Sequence, residues 1–319
     1  MAPHIVLITG CSAGIGLAIA SRLALDRDQR YIVIATVISM SEKAELVAAV
    51  GDALDKTVFI QALDVTDDEN ISYVVNNVVN TYGRIDVLIN NAGLIVVGIP
   101  ELIPREKIDQ IFSVNAIGTI RVTQAVLPHM KEKKAGKIVA VSSGLGRQGR
   151  PYYDFYCATK FAIEGFFESL AAGVRPFNIR VCLVEPGRVG TGLDDDVCES
   201  VNDLLGDEEI DEMDRRHLAK LQRSFSVSKM SSADEIAEAI EERCLEQEKP
   251  VLRHLLKDEL VRETMARDLS DLTGERASLR NQPPVERRAA AARHGDPSTA
   301  SSSSYNGAFQ RHHTHDLYR

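Results

Sequence analysis

The 319-residue chain lacks the features with which proteins commonly bind nucleic acids. It contains no tryptophan and only 5% aromatic residues, so few side chains could stack against unpaired bases. It also has no basic excess, because 37 Lys and Arg residues face 46 Asp and Glu residues, a formal charge of −9. An acidic chain repels a phosphodiester backbone. We therefore expect neither DNA nor RNA as a partner.

Cysteine and long apolar runs are also scarce. The five cysteines are scattered and form no C-x-x-C pair, so the sequence predicts neither a disulfide framework nor a metal site. Reduced thiols favour a cytoplasmic protein. No uninterrupted apolar run reaches the roughly 18 residues of a membrane-spanning helix, and no basic segment before Ile5 indicates a signal peptide. Peripheral association with a membrane stays open.

Short apolar runs alternate with helix-length segments. Runs that are apolar on both faces are typical of buried parallel strands, and this alternation predicts a single α/β domain: a doubly wound, mostly parallel sheet with helices on both faces. The predicted strands are Ile5–Thr9, Tyr31–Val37, Val58–Leu63, Val87–Ile89, Lys137–Ser142 and Ile179–Val184. The predicted helices include Ile15–Leu25, Ser41–Leu54, Glu69–Tyr82 and Phe155–Val174.

The alternation continues to about residue 280. Beyond it the chain is rich in Ser, Ala and Pro and poor in apolar residues, which predicts a disordered tail over residues 281–319. Three histidines near its end, His312, His313 and His315, lack fixed partner ligands, so we interpret them as part of a solvated tail.

A glycine-rich turn follows the first predicted strand and opens the first helix. It reads Thr9-Gly10-Cys11-Ser12-Ala13-Gly14-Ile15-Gly16. Glycines allow the backbone to approach a phosphate closely, and the helix N-terminus then presents free N–H groups to the anion. Such a turn alone is a weak signal, but its place between a strand and a helix indicates a nucleotide.

Further polar motifs follow the later strands. They are Asp64-Val65, Asn90-Asn91-Ala92-Gly93, Ser143 and Pro186-Gly187, with Tyr156 and Lys160 at the start of the next long helix. Ligands of an open parallel sheet bind at the carboxyl ends of its strands, where all these residues fall. A cation near a tyrosine favours the phenolate, so we expect Lys160 to lower the pKa of Tyr156.

These motifs together resemble the short-chain dehydrogenase/reductase family over about residues 4–280. The segments VLITGCSAGIGL, YCATKFAIEGFFESLA and EKPVLRHLLKDE resemble the branch that holds 17-beta-hydroxysteroid dehydrogenase and the photoreceptor-type retinol dehydrogenase. The resemblance implies a Rossmann-type domain with seven strands and a substrate-covering segment at about 191–225. It also implies the catalytic residues Asn115, Ser143, Tyr156 and Lys160, and a homodimer.

Cofactor contacts are carried over from the family by position. The expected residues are Gly10, Ser12, Gly14, Ile15, Gly16, Asp64, Val65, Asn91, Ala92, Gly93, Tyr156, Lys160, Pro186, Gly187, Val189 and Thr191. The resemblance implies that Asp64 and Val65 meet the adenine and that Pro186, Val189 and Thr191 meet the nicotinamide. It also implies that Asn115 bends its helix. The residues that set cofactor choice differ from the branch pattern. Ile38 and Ser39 replace the usual arginine and acidic residue, so the resemblance favours NADP(H) and leaves NAD(H) open. Thr9 and Asn90 have the structural alternative of tying neighbouring strands together.

Two other departures stand near the expected substrate site. Arg188 replaces a proline common in the branch, and it could contact a cofactor phosphate or point to solvent. The segment Asp194–Asp214 holds eleven acidic and no basic residues, with apolar residues at helical spacing. This pattern predicts a helix with one solvated acidic face. A more specific hypothesis is that the acidic segment disfavours the binding of anionic substrates and favours neutral lipophilic ones.

The resemblance implies an oxidoreductase that interconverts an apolar alcohol and its aldehyde or ketone, a retinoid or a steroid. Two alternatives stay open. One is a general reductase of lipid or xenobiotic carbonyls, since the substrate-lining positions lie in variable segments. The other is a non-catalytic protein that senses NAD(P), although a sensor would need the glycine turn and not the four catalytic residues.

Overall fold

The computed structural model describes residues 2–207, 209–227, 230–256, 266 and 269–271. The described residues all lie within one compact unit that spans residues 1–277. The predicted tail at 281–319 lies outside the described residues, so both its disorder and the predicted boundary near residue 280 stay predictions.

The described residues form one sheet of seven parallel strands in the order β3-β2-β1-β4-β5-β6-β7. The strands are β1 His4–Ile8, β2 Tyr31–Val37, β3 Val58–Ala62, β4 Val87–Asn90, β5 Gly136–Val141, β6 Ile179–Pro186 and β7 Arg253–Leu256. The first six coincide with the predicted apolar runs within one or two residues. The predicted doubly wound Rossmann-type fold is confirmed, and the pairs between these strands are all parallel.

Helices cover both faces of this sheet. They are α1 Gly14–Ala24, α2 Ala44–Val50, α3 Asp68–Tyr82, α4 Arg105–Phe112, α5 Thr119–Lys133, α6 Asp154–Val174, α7 Gly192–Gly206, α8 Glu212–Val227 and α9 Ala233–Ile240. Two π-helical turns, Ser113–Gly118 and Glu241–Leu245, follow α4 and α9. Among the described residues, no helix combines the length and the apolar character needed to cross a membrane.

Alternation along the strands separates two apolar layers. Ile8 of β1 faces α1 and α9 and packs in the layer that contains Ile19 and Ile240. Leu7, one residue earlier, faces the opposite layer, where Phe167 of α6 is fully buried. Because each such side chain contributes about 1.5–3 kcal/mol when buried, the two layers fix the strand register and therefore the edge that carries the polar motifs.

Two predicted helices differ from the structure. The helix predicted over Ser41–Leu54 is α-helical only at Ala44–Val50, with 3-10 turns on either side. Gly51 adopts a positive φ of 50°, a conformation that glycine tolerates and that ends the helix. The acidic segment is helical around Val197 and Val201, as predicted, but it is divided between two helices, because α7 ends at Gly206 and α8 begins at Glu212.

Candidate active site

The glycine turn brings β1, α1 and the segment after β4 into close contact. Gly10 adopts a φ of +70°, and a Cβ there would lie 2.8 Å from the Cα of Ala92. A Cβ on Gly16 would lie 2.0 Å from the carbonyl oxygen of Gly10. Both positions therefore require glycine. The turn predicted from the sequence is a tightly packed structure and not merely a flexible connection.

The N-terminus of α1 is suited to an anion. No side chain caps the helix at Ala13, and its first turn contains no acidic residue. The N–H groups of that turn and the positive end of the helix dipole therefore stay available to a phosphate group. Gly14 and Thr191 lie side by side here, since a Cβ on Gly14 would be 3.1 Å from Cγ2 of Thr191. Gly14 of the glycine turn and Thr191, which are both predicted to contact the cofactor, are therefore neighbours.

Hydrogen bonds join Asn91 and Thr9 across the sheet edge. The Thr9 hydroxyl oxygen accepts hydrogen bonds from the backbone N–H groups of Asn91 and Ala92, both at 3.0 Å. The Asn91 side-chain amide donates to the carbonyl oxygens of Thr9 and Gly10 at 3.0 and 2.8 Å. The alternative of a structural role for Thr9 is therefore what the structure shows. Asn91 therefore uses both its side chain and its backbone N–H to hold the turn.

The pair Asp64-Val65 follows β3 on the same edge. One carboxylate oxygen of Asp64 accepts hydrogen bonds from the backbone N–H and hydroxyl of Thr66, at 2.8 and 2.7 Å. Val65 is buried, and its carbonyl oxygen would lie 2.7 Å from a Cβ on Gly118. These contacts fix the segment where the adenine was predicted to bind.

Asn115 lies in the π-helical turn between α4 and α5. Its side-chain oxygen accepts from the backbone N–H of Leu94 at 2.7 Å. Its amide nitrogen donates to the carbonyl oxygen of Leu94 at 2.8 Å and to the Thr159 hydroxyl at 3.2 Å. Asn115 therefore connects the segment after β4 to α6, the helix that carries Tyr156 and Lys160. The irregular turn agrees with the expectation that Asn115 bends its helix.

Lys160 is buried behind Tyr156 on the same face of α6. Its ammonium donates to the carbonyl oxygen of Val141 at 3.0 Å and lies 5.5 Å from the centre of the Tyr156 ring. A Cβ on Gly93 would be 3.8 Å from the same nitrogen. The structure thus brings Lys160, Asn115 and the Asn91-Ala92-Gly93 segment together, as the motifs predict.

The side chains of Ser143 and Tyr156 interact, and Ser143 lowers the pKa of the Tyr156 hydroxyl. Ser143 ends the segment after β5, and its hydroxyl oxygen also accepts from the backbone N–H of Leu145 at 3.1 Å. This second contact fixes the serine rotamer. The two hydroxyl groups are therefore placed to contact one substrate oxygen together.

The expected lowering of the tyrosine pKa is wrong for the chain without its cofactor. Burial raises the pKa of Tyr156 to about 12, and the interaction with Ser143 offsets only part of that shift. Burial also lowers the pKa of Lys160 to about 8, against a smaller opposing effect of Glu164. Both shifts have one cause, because a low-dielectric site disfavours the charged form of each group.

Residues after β6 complete the edge. Pro186 ends the strand, the N–H of Gly187 donates to the Leu256 carbonyl oxygen at 3.2 Å, and Val189 forms a parallel bridge with Ser231. These contacts hold the segment that leads to Thr191 and α7. They place Val189 and Thr191 beside the glycine turn, where the nicotinamide was predicted.

The interpretation that Arg188 points to solvent is wrong. Its guanidinium forms two hydrogen bonds with the Asp194 carboxylate, at 2.5 and 2.7 Å, and a third with the carbonyl oxygen of Phe225 at 2.5 Å. It also lies over the Phe225 ring, 4.7 Å from the ring centre. Arg188 therefore does not point to solvent, and a contact with a cofactor phosphate stays a prediction. It ties α7 to α8, and Asp194 is withdrawn from the solvated acidic face.

A third apolar cluster covers the ring of Tyr156 and was only partly predicted. Val197 and Val201 of α7 point into it, as their helical spacing predicts. The sequence did not predict the other members of the cluster, which are Ile95, Val97 and Ile99 after β4, Tyr152 and Tyr153 before α6, and Leu218 and Leu221 of α8. The Tyr152 hydroxyl donates to the Asp214 carboxylate at 2.9 Å, which fastens α8 to this cluster. The alternating apolar run Ile95–Ile99 was the available signal.

The segment after β2 carries no charged group at the two positions expected to set cofactor choice. Ile38 is 59% exposed. The Ser39 hydroxyl accepts from the backbone N–H of Ser41 at 3.3 Å and caps a short 3-10 turn.

Comparisons with known proteins agree with this geometry. Residues 4–202 match the short chain dehydrogenase family. The chain belongs to that family. Retinol dehydrogenase 8 of Bos taurus is 45% identical over 201 residues, and 17-beta-hydroxysteroid dehydrogenase type 1 of Homo sapiens is 36% identical over 262 residues. These matches cover 63% and 80% of this chain, and 64% and 77% of the relatives, so the first spans less than two thirds of its relative.

Solved structures of short-chain dehydrogenases share the fold. One from Streptomyces avermitilis superposes with a TM-score of 0.71 at 30% identity, covering 93% of this chain and 99% of that one. ElxO with NADP bound superposes with a TM-score of 0.66 at 26% identity, covering 80% and 96%. The resemblance to the retinol and steroid branch of the short-chain dehydrogenases is thereby confirmed.

Proposed function

We propose that this short-chain dehydrogenase is an NADP(H)-dependent oxidoreductase that interconverts an apolar alcohol and its aldehyde or ketone, with a retinoid or a steroid as substrate. The observation that carries the proposal is the position of Tyr156. Its hydroxyl interacts with Ser143, while its ring packs against the apolar cluster formed by α7, α8 and Ile95–Ile99. A reacting oxygen and a bulky apolar body can therefore be bound side by side.

The chain's residues would divide the work of the reaction as follows. A bound nicotinamide supplies the hydride for reduction and accepts it in oxidation. The uncapped N-terminus of α1 and the glycine turn bind its phosphates. Ser143 donates a hydrogen bond to the substrate oxygen, and Tyr156 gives that oxygen a proton in reduction or takes it in oxidation. Lys160 supplies a positive charge beside Tyr156, and Asn115 holds the segment that contacts Lys160.

The protonation states favour reduction at neutral pH. With a pKa of about 12, Tyr156 holds its proton at pH 7 and can donate it to a carbonyl oxygen. The reverse reaction needs the phenolate, which burial disfavours. We therefore infer that the chain reduces aldehydes or ketones faster than it oxidises alcohols near neutrality.

Two observations support NADP(H). Neither Ile38 nor Ser39 places a carboxylate where it would repel a 2′-phosphate, and the solved structure of ElxO contains NADP. No arginine stands at these two positions, so the preference rests on the absence of repulsion and on the Ser39 hydroxyl. Ser39→Asp tests this assignment, with Ser41→Asp as the matched control two residues away.

The cofactor experiment compares kcat/KM for NADPH and NADH in the wild type and both variants. We expect Ser39→Asp to lower the preference for NADPH roughly tenfold, in line with one like-charge contact near the surface, and Ser41→Asp to change it less. A wild type that turns over faster with NADH than with NADPH at equal concentrations would overturn the NADP(H) assignment.

The substrate experiment offers retinal, estrone and a long-chain aliphatic ketone at matched concentrations with NADPH. We expect either retinal or estrone to have the highest kcat/KM of the three substrates. Faster reduction of the aliphatic ketone would instead favour the alternative of a general lipid carbonyl reductase. Binding of NADPH without turnover of any of the three would favour the non-catalytic sensor.

A further inference from the structure

A buried group of thiols and an imidazole lies on the face of the sheet opposite α6. Cys182 is near the middle of β6, and Val184, two residues on, lies on the same face of the strand. The parallel register pairs Val184 with His254 of β7, so His254 shares that face. Cys244 reaches the same place from the π-helical turn that follows α9.

The three side chains are close enough to bind one ion. The two sulfur atoms and an imidazole nitrogen lie within 4.8 Å of one another. Cys182 and Cys244 are fully buried, and His254 is 8% exposed. The Nε2 atom of His254 is buried with no hydrogen-bond partner among the described residues. An unpartnered buried imidazole nitrogen costs free energy, which a ligand bond would recover.

Two thiolates and one neutral imidazole match a soft divalent cation. Zinc binds cysteine sulfur at about 2.3 Å and histidine nitrogen at about 2.0–2.1 Å, which in a tetrahedron separates the ligand atoms by about 3.5–3.8 Å. The observed spacing therefore needs only a small inward movement of the side chains. Two negative thiolates would also neutralise Zn²⁺, so the loaded site would carry no net charge into the apolar layer.

We propose that Cys182, Cys244 and His254 form a zinc site that connects β6, β7 and the end of α9. This site is contrary to the absence of metal that the sequence led us to expect. It lies on the face of the sheet away from Tyr156 and Lys160, so its effect is on stability and not on the chemistry of carbonyl reduction.

The test titrates the full-length, metal-free protein with Co²⁺ and then with Zn²⁺. The expected result is about one ion per chain, a thiolate-to-cobalt charge-transfer band that Zn²⁺ removes, and a higher melting temperature with Zn²⁺. The double variant Cys182→Ser/Cys244→Ser should lose the band and the shift in melting temperature. Cys198→Ser, which changes a cysteine outside the group, should keep both.

Two outcomes would overturn the site. One is the absence of both the band and the melting shift in the wild type. The other is ion binding that persists in the double variant, which would place the ion on other residues such as His312–His315. If the double variant does not fold, X-ray absorption of the zinc-loaded wild type decides. Two sulfur ligands and at least one nitrogen support the site, and a shell of nitrogen and oxygen alone excludes it.

Discussion

At the scale of single residues, the site depends on opposite effects of burial on two neighbouring groups. Burial keeps Tyr156 protonated up to a pKa of about 12 and allows Lys160 to lose its proton above about 8. At pH 7 the pair is therefore a neutral phenol beside an ammonium. As the pH rises through about 8, the ammonium is lost first, while the phenol stays protonated.

This order predicts the pH dependence of both directions of the reaction. The kcat of NADPH-dependent reduction should fall as the pH rises through about 8, because the charge of Lys160 is lost. Oxidation should stay slow over the same range, because its base is the phenolate of Tyr156, which forms only as the pH approaches about 12. Steady-state rates from pH 6 to 10 check this prediction. A reduction rate that stays constant through pH 8 and falls only near pH 10 would contradict the lowered lysine pKa.

Glycine 16 provides a second test at this scale. Gly16→Ala would place a Cβ 2.0 Å from the carbonyl oxygen of Gly10, so it should reduce NADPH affinity by about tenfold or more as the turn opens. Gly165→Ala is the control, since no atom lies within 4 Å of a Cβ there and α6 should gain up to about 1 kcal/mol. NADPH titration and thermal melting measure the two effects. If Gly16→Ala binds NADPH as tightly as the wild type does, the glycine turn is not part of the cofactor site.

At the scale of elements, α6 links the active site to a buried group of charges. Glu164 is one turn after Lys160 and pairs with Arg253 of β7 at 3.2 Å. Arg253 also pairs with Glu168 at 2.8 Å and with Glu185 at 3.3 Å. Glu164 raises the pKa of Lys160 and therefore opposes part of the effect of burial.

Removing that carboxylate should change the pH profile. In Glu164→Gln the pKa of Lys160 should fall further, so the loss of reduction activity should move to lower pH. Glu168→Gln removes another partner of Arg253, one that is 62% exposed, and should leave the profile unchanged. A profile of Glu164→Gln identical to that of the wild type would show that Glu164 does not act on Lys160. Equal shifts in both variants would assign the effect to Arg253.

The pair α7 and α8 provides the prediction on charge and substrate choice. Asp194 is occupied by Arg188, while Asp195 and Asp196 are exposed. If the acidic segment disfavours anionic substrates, Asp195→Asn/Asp196→Asn should raise kcat/KM for a carboxylate-bearing carbonyl several-fold and leave a neutral one unchanged. This increase in kcat/KM should become smaller with added salt, because salt screens exposed charges. If the double variant and the wild type discriminate equally between anionic and neutral substrates in low salt, the hypothesis is wrong. Asp234→Asn in α9 is the matched control.

At the scale of the whole molecule, the sequence predicted most of the strands and the position of the glycine turn at the carboxyl edge of the sheet. Runs such as Tyr31–Val37 and the turn around Gly10 are continuous in the chain, so their signal is local. The expected catalytic residues come from the resemblance, which assigns roles to positions. Both kinds of signal place residues at the carboxyl edge of the strands.

The remaining contacts depend on parts of the chain that are far apart in sequence. The partners of Arg188 are Asp194 and Phe225, and nothing at residue 188 reveals that a ring 37 positions later covers it. Likewise, Cys182, Cys244 and His254 meet only through the strand register and the π-helical turn. The pKa of Tyr156 was predicted in the wrong direction, because a nearby lysine is visible in the sequence and the cost of burial is not.

The central claim is that Tyr156 donates the proton when the chain reduces an apolar carbonyl with NADPH. The most direct measurement is the single-turnover reduction of retinal and of estrone by the wild type and by Tyr156→Phe, each loaded with NADPH. The account predicts NADPH oxidation with at least one substrate in the wild type, a rate lower by about 10²–10⁴-fold in the variant, and equal NADPH binding by both. Equal rates in both proteins, or no NADPH oxidation by the wild type, would contradict it.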